Sequence, residues 1–124
     1  MSIWGFGNFD SDDALNVLDE LIIGIVKNIR ETFLREADTS LYDDFGNSHI
    51  VGNIDILSTL LEKYETYPQV ELEEVSRWKK DYLDTFDRTI HVYEPTAEYV
   101  IERRKVISQT FDRLYGVIEV FWED

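Results

Sequence analysis

His91 has Asp87 four residues before it and Glu94 three residues after it, so an unbroken helix would gather one imidazole and two carboxylates on a single face. Three such ligands could hold a divalent ion that activates water, which is the chemistry of a metal-assisted hydrolase. Isolated histidines beside carboxylates also arise by chance in a chain this acidic, and the second histidine, His49, belongs to a different segment. Asp10, Asp12 and Asp13 supply oxygen atoms at near-alternate positions, as a calcium loop does. A loop begun at Asp10 would need glycine at its sixth position and glutamate at its twelfth, and the chain has Leu15 and Leu21 there. The pair Gly5 and Gly7 ahead of a helix resembles part of a dinucleotide fingerprint, but the third glycine is missing and aspartates crowd the phosphate position. No G-x-S-x-G nucleophile motif occurs, and the absence of cysteine excludes thiolate catalysis and Cys-ligated zinc or iron–sulfur centres. The residues thus nominate no catalytic group, no metal ligand set and no cofactor.

Arg104 is the remaining residue with chemical promise. The stripe Ala97, Val100, Ile107 and Phe111 passes through its position, which directs a guanidinium toward the core side of a helix. A guanidinium so placed needs a carboxylate from the second or third helix, which would fix packing, or else it forms an anion pocket beside Arg103.

The elements that must carry these residues read as helices. Asp10 or Ser11 can cap a first helix with Asp12 and Asp13 in its opening turn. Ala14, Leu18, Leu21, Ile22, Ile25, Ile29 and Phe33 then recur at helical spacing to about Arg35. Gly24 costs that helix roughly 1 kcal/mol relative to alanine, which predicts the close approach of another helix there. Residues 37–51 have no sustained period and read as an acidic loop. A second helix begins near Gly52 or Asn53 and carries Leu57, Leu60, Leu61 and Tyr64, ending before Tyr67 and Pro68. Leu72, Val75, Trp78, Tyr82, Leu83 and Phe86 mark a third helix that closes over residues 90–93. Pro95 suits the first turn of a fourth, with Val100, Ile107, Phe111 and Leu114 facing inward. Residues 117–122 favour strand by type, but Phe111, Leu114, Ile118 and Phe121 keep the helical period through Gly116, so helix is the preferred reading.

With 124 residues, 44% hydrophobic and 14% aromatic, the chain can bury one core, and nothing in it reads as a linker or repeat. Residues 1–124 are therefore read as a single domain. The 26 acids against 12 bases give a formal charge of −14, which repels nucleic acid and anionic membranes and attracts a basic protein. The surplus is larger up to Glu65, with 13 acids and 4 bases, than after it, with 13 acids and 8 bases. The opening sequence has neither the basic nor the apolar region of a signal peptide, and no apolar run is long enough to span a bilayer, which points to the cytoplasm.

The opening Trp4-Gly5-Phe6-Gly7-Asn8-Phe9-Asp10-Ser11-Asp12-Asp13-Ala14, a W-G-x-G-x-F arm running into an acidic helix start, resembles the bacterial domain-of-unknown-function family 4259. Trp78 with Tyr82 and Leu83, and Arg103-Arg104 with Ile107, Thr110, Phe111 and Leu114, are compatible with it more loosely. The resemblance implies no activity and no catalytic residues. Small acidic bacterial proteins of this kind are similar to immunity proteins of toxin systems, by analogy alone.

The sequence therefore predicts an all-α or mainly α domain of four to five helices around one core, with a short extended arm at residues 1–10 laid across it. The leading function is protein binding. An acidic surface made by Asp12, Asp13, Glu36, Asp38, Asp43 and Asp44 docks a basic partner, in the manner of an immunity protein neutralising a toxin or nuclease. Two alternatives stay open: the hydrolase built on His91, and a structural or regulatory subunit that self-associates through residues 117–122.

Overall fold

A computed structural model describes residues 7–8, 11–35 and 46–123, and all of its long elements are helices. They are α1 (Asp12–Arg35), α2 (Gly46–Tyr64), α3 (Leu72–Thr89) and α4 (Ala97–Trp122), with a short 3₁₀ turn (Ile90–Tyr93) closing α3. The predicted arm lies outside the described residues except for Gly7 and Asn8, which form a bend and turn, and so do Glu36, Asp38, Asp43 and Asp44.

Each boundary has a local cause. Ser11 caps α1 by accepting from the Ala14 amide at 3.2 Å, with Asp12 and Asp13 in the first turn where the helix dipole favours negative charge. Thr96 caps α4 through the Tyr99 amide at 3.1 Å, so Pro95 sits just ahead of the cap rather than inside the first turn. α2 starts at Gly46, earlier than the sequence suggests, because its buried face opens with Ile50, Val51 and Ile54 ahead of Leu57 and Leu61. Burial of those side chains outweighs the poor helix propensity of Gly46 and Gly52. His49 is accordingly an exposed residue of a helix and not of a loop. α4 continues without a break through Gly116 to Trp122, with Ile118 fully buried, so residues 117–122 are helix.

Polar contacts fix the helix directions. Asn28 with Asn53, and Asp19 with Thr66, set α1 antiparallel to α2. Lys79 with Asp112, and Arg104 with Asp87, set α3 antiparallel to α4. Arg113 of α4 reaches Asp55 and Thr59 of α2, and Tyr67 just after α2 meets Phe121 and Trp122, so α2 and α4 run parallel. The core between them is a continuous apolar cluster built on Ile22, Ile29, Ile54, Leu57, Tyr82, Phe86, Ile107, Phe111, Leu114 and Ile118. Its buried hydroxyls, Thr32, Ser58 and Thr85, each donate to the carbonyl four residues back, and no described buried side-chain polar atom lacks a partner.

The link from Glu65 to Glu71 is short but shaped. Glu65 and Gln69 both hold left-handed backbone, at φ 49° and 65°. Thr66 donates to Asp19, and the Gln69 carbonyl accepts from Arg30 at 3.4 Å. Arg30 also forks Glu74, donating from Nε to Oε2 and from Nη2 to Oε1, both at 2.7 Å, beside the stacked rings of Phe33 and Trp78, and this seam ties α1 to α3. The Arg30 hydrogen bonds hold the Glu74 carboxyl below the usual carboxylate range, against the opposing pull of its partial burial. A carboxyl depressed in the folded state stabilises fully above its unfolded value of about 4.3, and the contribution disappears as pH falls through the folded value. Glu74→Gln is therefore expected to lower the melting temperature at neutral pH and to leave the difference from wild type shrinking toward zero on acidification below about pH 4. Paired thermal melts across that range measure it; a difference independent of pH contradicts the assignment.

Gly24 corrects an expectation. No helix approaches it: a β-carbon built there meets nothing within 4 Å, and the same holds for Gly52 and Gly116.

Candidate functional site

Arg104 forms the fork that the sequence anticipated with the third helix, donating from Nε to Asp87 Oδ1 at 2.9 Å and from a terminal nitrogen to Oδ2 at 3.0 Å. It is not directed into the core. Both side chains are about half exposed, at 46%; the fully buried stripe of α4 begins one turn later, at Ile107, and only Val100 continues it, partly buried, toward the start of the helix. The Asp87 carboxylate raises the Arg104 pKa, but solvent screens a pair this open. Arg104→Met is expected to cost no more than about 1 kcal/mol by chemical denaturation; a loss several times larger would restore the buried ion pair.

The same fork removes Asp87 from the proposed hydrolase set. Beyond Thr89 the chain tightens into the 3₁₀ turn, and Glu94 caps it in left-handed backbone at φ 51°, so the helical spacing of Asp87, His91 and Glu94 is lost. Among the described residues no three His, Asp or Glu side chains gather closely enough to hold a metal ion.

The helix directions instead build a site at one end of the bundle. The start of α3, the C-termini of α2 and α4 and the link between α2 and α3 lie there, while α1 runs past: Thr66 reaches Asp19, Arg30 reaches Gln69 and Glu74, and the N-terminus of α1 continues beyond them. Glu62 and Glu65 enter from α2 and its exit, Glu71 and Glu73 from the start of α3, and Glu119 and Glu123 from the end of α4. Among the described residues, Lys63 is the only base in these terminal turns and the link, and its ammonium sits over the Tyr64 ring at 5.3 Å. Of the six acids that the sequence nominated, Asp12 and Asp13 stand in the first turn of α1, beyond the contacts that tie α1 to this end. The others fall outside the described residues.

Beside the acids lies an open groove of about 910 Å³, floored by Leu61, Pro68, Gly116, Val117, Ile118 and Val120. The absence of a side chain at Gly116 deepens it. Glu62, Glu65 and Arg113 line its rim, and Arg113 is held by Asp55 at 2.8 Å and Glu62 at 3.9 Å. Tyr67, Phe121 and Trp122 stand at its mouth in mutual edge-to-face contact, with centroids 5.0 to 6.2 Å apart. Rings that close touch one another and leave no space for a cation between them. They form instead an amphipathic knob, with Tyr67 46% and Trp122 49% exposed.

Several of these acids stand where folding alone would not put them. Glu119 and Glu123 lie at the C-terminus of α4, whose last turn has no base, and there the helix dipole disfavours negative charge. Glu65 occupies a left-handed position that glycine would fill at about 1 kcal/mol less cost. Asp12, Asp13 and Glu73, by contrast, oppose the positive ends of α1 and α3 and contribute to stability as well as to charge.

Glu65, Glu71, Glu73, Glu119 and Glu123, together with Tyr67 and Trp122, escaped the sequence reading because their convergence depends on helix direction. The signal that was available is the clash between Glu119, Glu123 and the dipole of their own helix.

No family model matches the chain, and no curated protein or solved structure is similar to it.

Proposed function

We propose that this protein is a binding domain whose acidic, aromatic-edged end docks a basic protein. The observation that carries the reading is negative charge held at a cost to the fold, on Glu65 at the rim of an apolar groove and on Glu119 and Glu123 in the last turns of the helix that floors it. Local rules of stability are broken most often where function requires it. Charge would steer the partner and select it, while the groove and the Tyr67–Trp122 knob would supply contact energy, since exposed aromatics dominate binding hot spots.

A basic toxin or nuclease has the chemistry of such a partner. A cleft that must bind the phosphates of a nucleic acid is positively charged, and an acidic protein seated in it excludes the polyanion. Immunity-type neutralisation is thus the specific form of the proposal. The test is affinity capture from the native cell extract at low and high salt, run in parallel with a chain bearing Glu71→Lys and Glu73→Lys. A basic protein held by wild type at low salt, released at high salt, absent from the variant and inhibited by the purified chain supports the proposal. Finding no salt-sensitive basic partner, or one held equally by the variant, overturns it.

A further inference from the structure

The outer face of the α1–α2 pair is apolar and open. Val17 and Leu21 on α1 and Ile56 on α2 are 64%, 52% and 52% exposed, and Leu60 lies partly buried between the two helices. Asn28 and Asn53, which hydrogen-bond across the pair, set the register that brings these residues together. Two helix-interior glycines, Gly24 and Gly52, lie exposed on the same side and have open space in place of a side chain. Each costs its helix about 1 kcal/mol relative to alanine, and neither has a positive φ or a close neighbour within the chain that requires glycine.

We infer that this face binds a second copy of the chain, with the two α1 helices crossing antiparallel about a two-fold axis near Gly24. The charge sequence of α1 selects this occupant and this direction. Its first half carries Asp12, Asp13, Asp19 and Glu20 with no base, whereas its second half carries Lys27, Arg30 and Arg35 against one acid, Glu31. Antiparallel pairing about Gly24 sets Glu20 level with Lys27 and Asp13 level with Arg35 of the other copy. Parallel pairing would set acid on acid. The arrangement also points the two acidic ends in opposite directions, which limits repulsion between chains of charge −14. Self-association through residues 117–122 would instead press Glu65, Glu71, Glu119 and Glu123 of both copies together.

The dimensions suffice. α1 has 24 residues and is about 36 Å long, and a packed helix pair is about 20 Å wide, so the strip offers on the order of 700 Å² per copy. A standard interface uses about 800 Å² per partner. Glycine at the crossing lets two backbones approach closely, which explains why Gly24 is tolerated in the middle of the longest apolar run of α1.

Light scattering coupled to gel filtration of the full chain tests the inference. Wild type is expected to run at twice the 14.7 kDa chain mass at the higher concentrations and to dissociate on dilution. Gly24→Leu should raise the dimer dissociation constant about 100-fold, because the two-fold axis doubles a tenfold effect per copy, while circular dichroism shows helicity retained. Glu20→Lys should weaken the dimer and the added change Lys27→Glu should restore it, a rescue that only antiparallel pairing gives. A monomer at every concentration overturns the inference. So does a dimer indifferent to Gly24→Leu and to the charge exchange. Neither outcome bears on the acidic end, which this arrangement leaves uncovered.

Discussion

Glu119→Lys combined with Glu123→Lys is expected to make the protein more stable and, at the same time, unable to hold its partner. Two lysines at the C-terminus of α4 turn an unfavourable interaction with the helix dipole into a favourable one. The gain is about 1 to 2 kcal/mol for the pair, with some further relief of self-repulsion in a chain of charge −14. The same change removes negative charge from the end where a basic partner would be steered. It should slow association at low salt by about 10- to 1,000-fold, the range over which electrostatic steering operates. Thermal melts and association kinetics on one preparation measure both effects. Opposite signs are the signature of charge kept for binding. A variant that is less stable assigns the two glutamates to folding.

The largest expected loss of stability follows from Phe111→Ala. Phe111 is fully buried, its ring centroid lies 5.7 Å from that of Tyr82, and it occupies the centre of α4 between Ile107 and Leu114. α4 packs on both α2 and α3, so a cavity at this point loosens both seams. Truncating a phenylalanine in such a setting costs about 3 to 5 kcal/mol, a large part of the roughly 5 to 15 kcal/mol that holds a domain of this size together. Urea denaturation should show a midpoint shifted far down, or a chain already unfolded in buffer. A loss below about 1 kcal/mol would mean that the core does not pass through this residue.

Much of the fold was legible in the residues. Ser11 with Asp12 and Asp13 announced the start of α1, and the spacing of Val75, Trp78, Tyr82 and Phe86 announced α3. The unbroken period from Phe111 to Ile118 outweighed the strand-forming types at the end of the chain. The early start of α2 was hidden, because Gly46, Asn47, Ser48 and Gly52 look like loop residues until Ile50, Val51 and Ile54 are known to be buried together. The sequence offered Arg104 a carboxylate on the second or third helix, and it forks Asp87 of the third; period alone could not show that the side chain stands half exposed, beside the stripe that is fully buried only from Ile107 onward.

The site was less legible than the fold, for a physical reason. Local pattern reports which face of a helix is buried but not which way the helix runs beside its neighbours. Glu65, Glu71 and Glu123 are separated by up to 58 residues, and only the parallel pairing of α2 with α4 and the antiparallel pairing of α3 with α4 bring them to one end. The charge totals of the two halves of the chain, which suggested an acidic first half, carry no information about that pairing.

A basic partner is expected to contact this end and no other. Amide chemical-shift mapping on the ¹⁵N-labelled chain tests it most directly, using the captured partner or, in its absence, a synthetic lysine- and leucine-rich amphipathic helix. Salt-sensitive shifts are expected at Glu65, Tyr67, Glu71, Gly116, Val120 and the Trp122 indole, with Arg88, His91 and Arg104 unmoved. Shifts centred on the opposite end, or spread without preference over the whole surface, would contradict it.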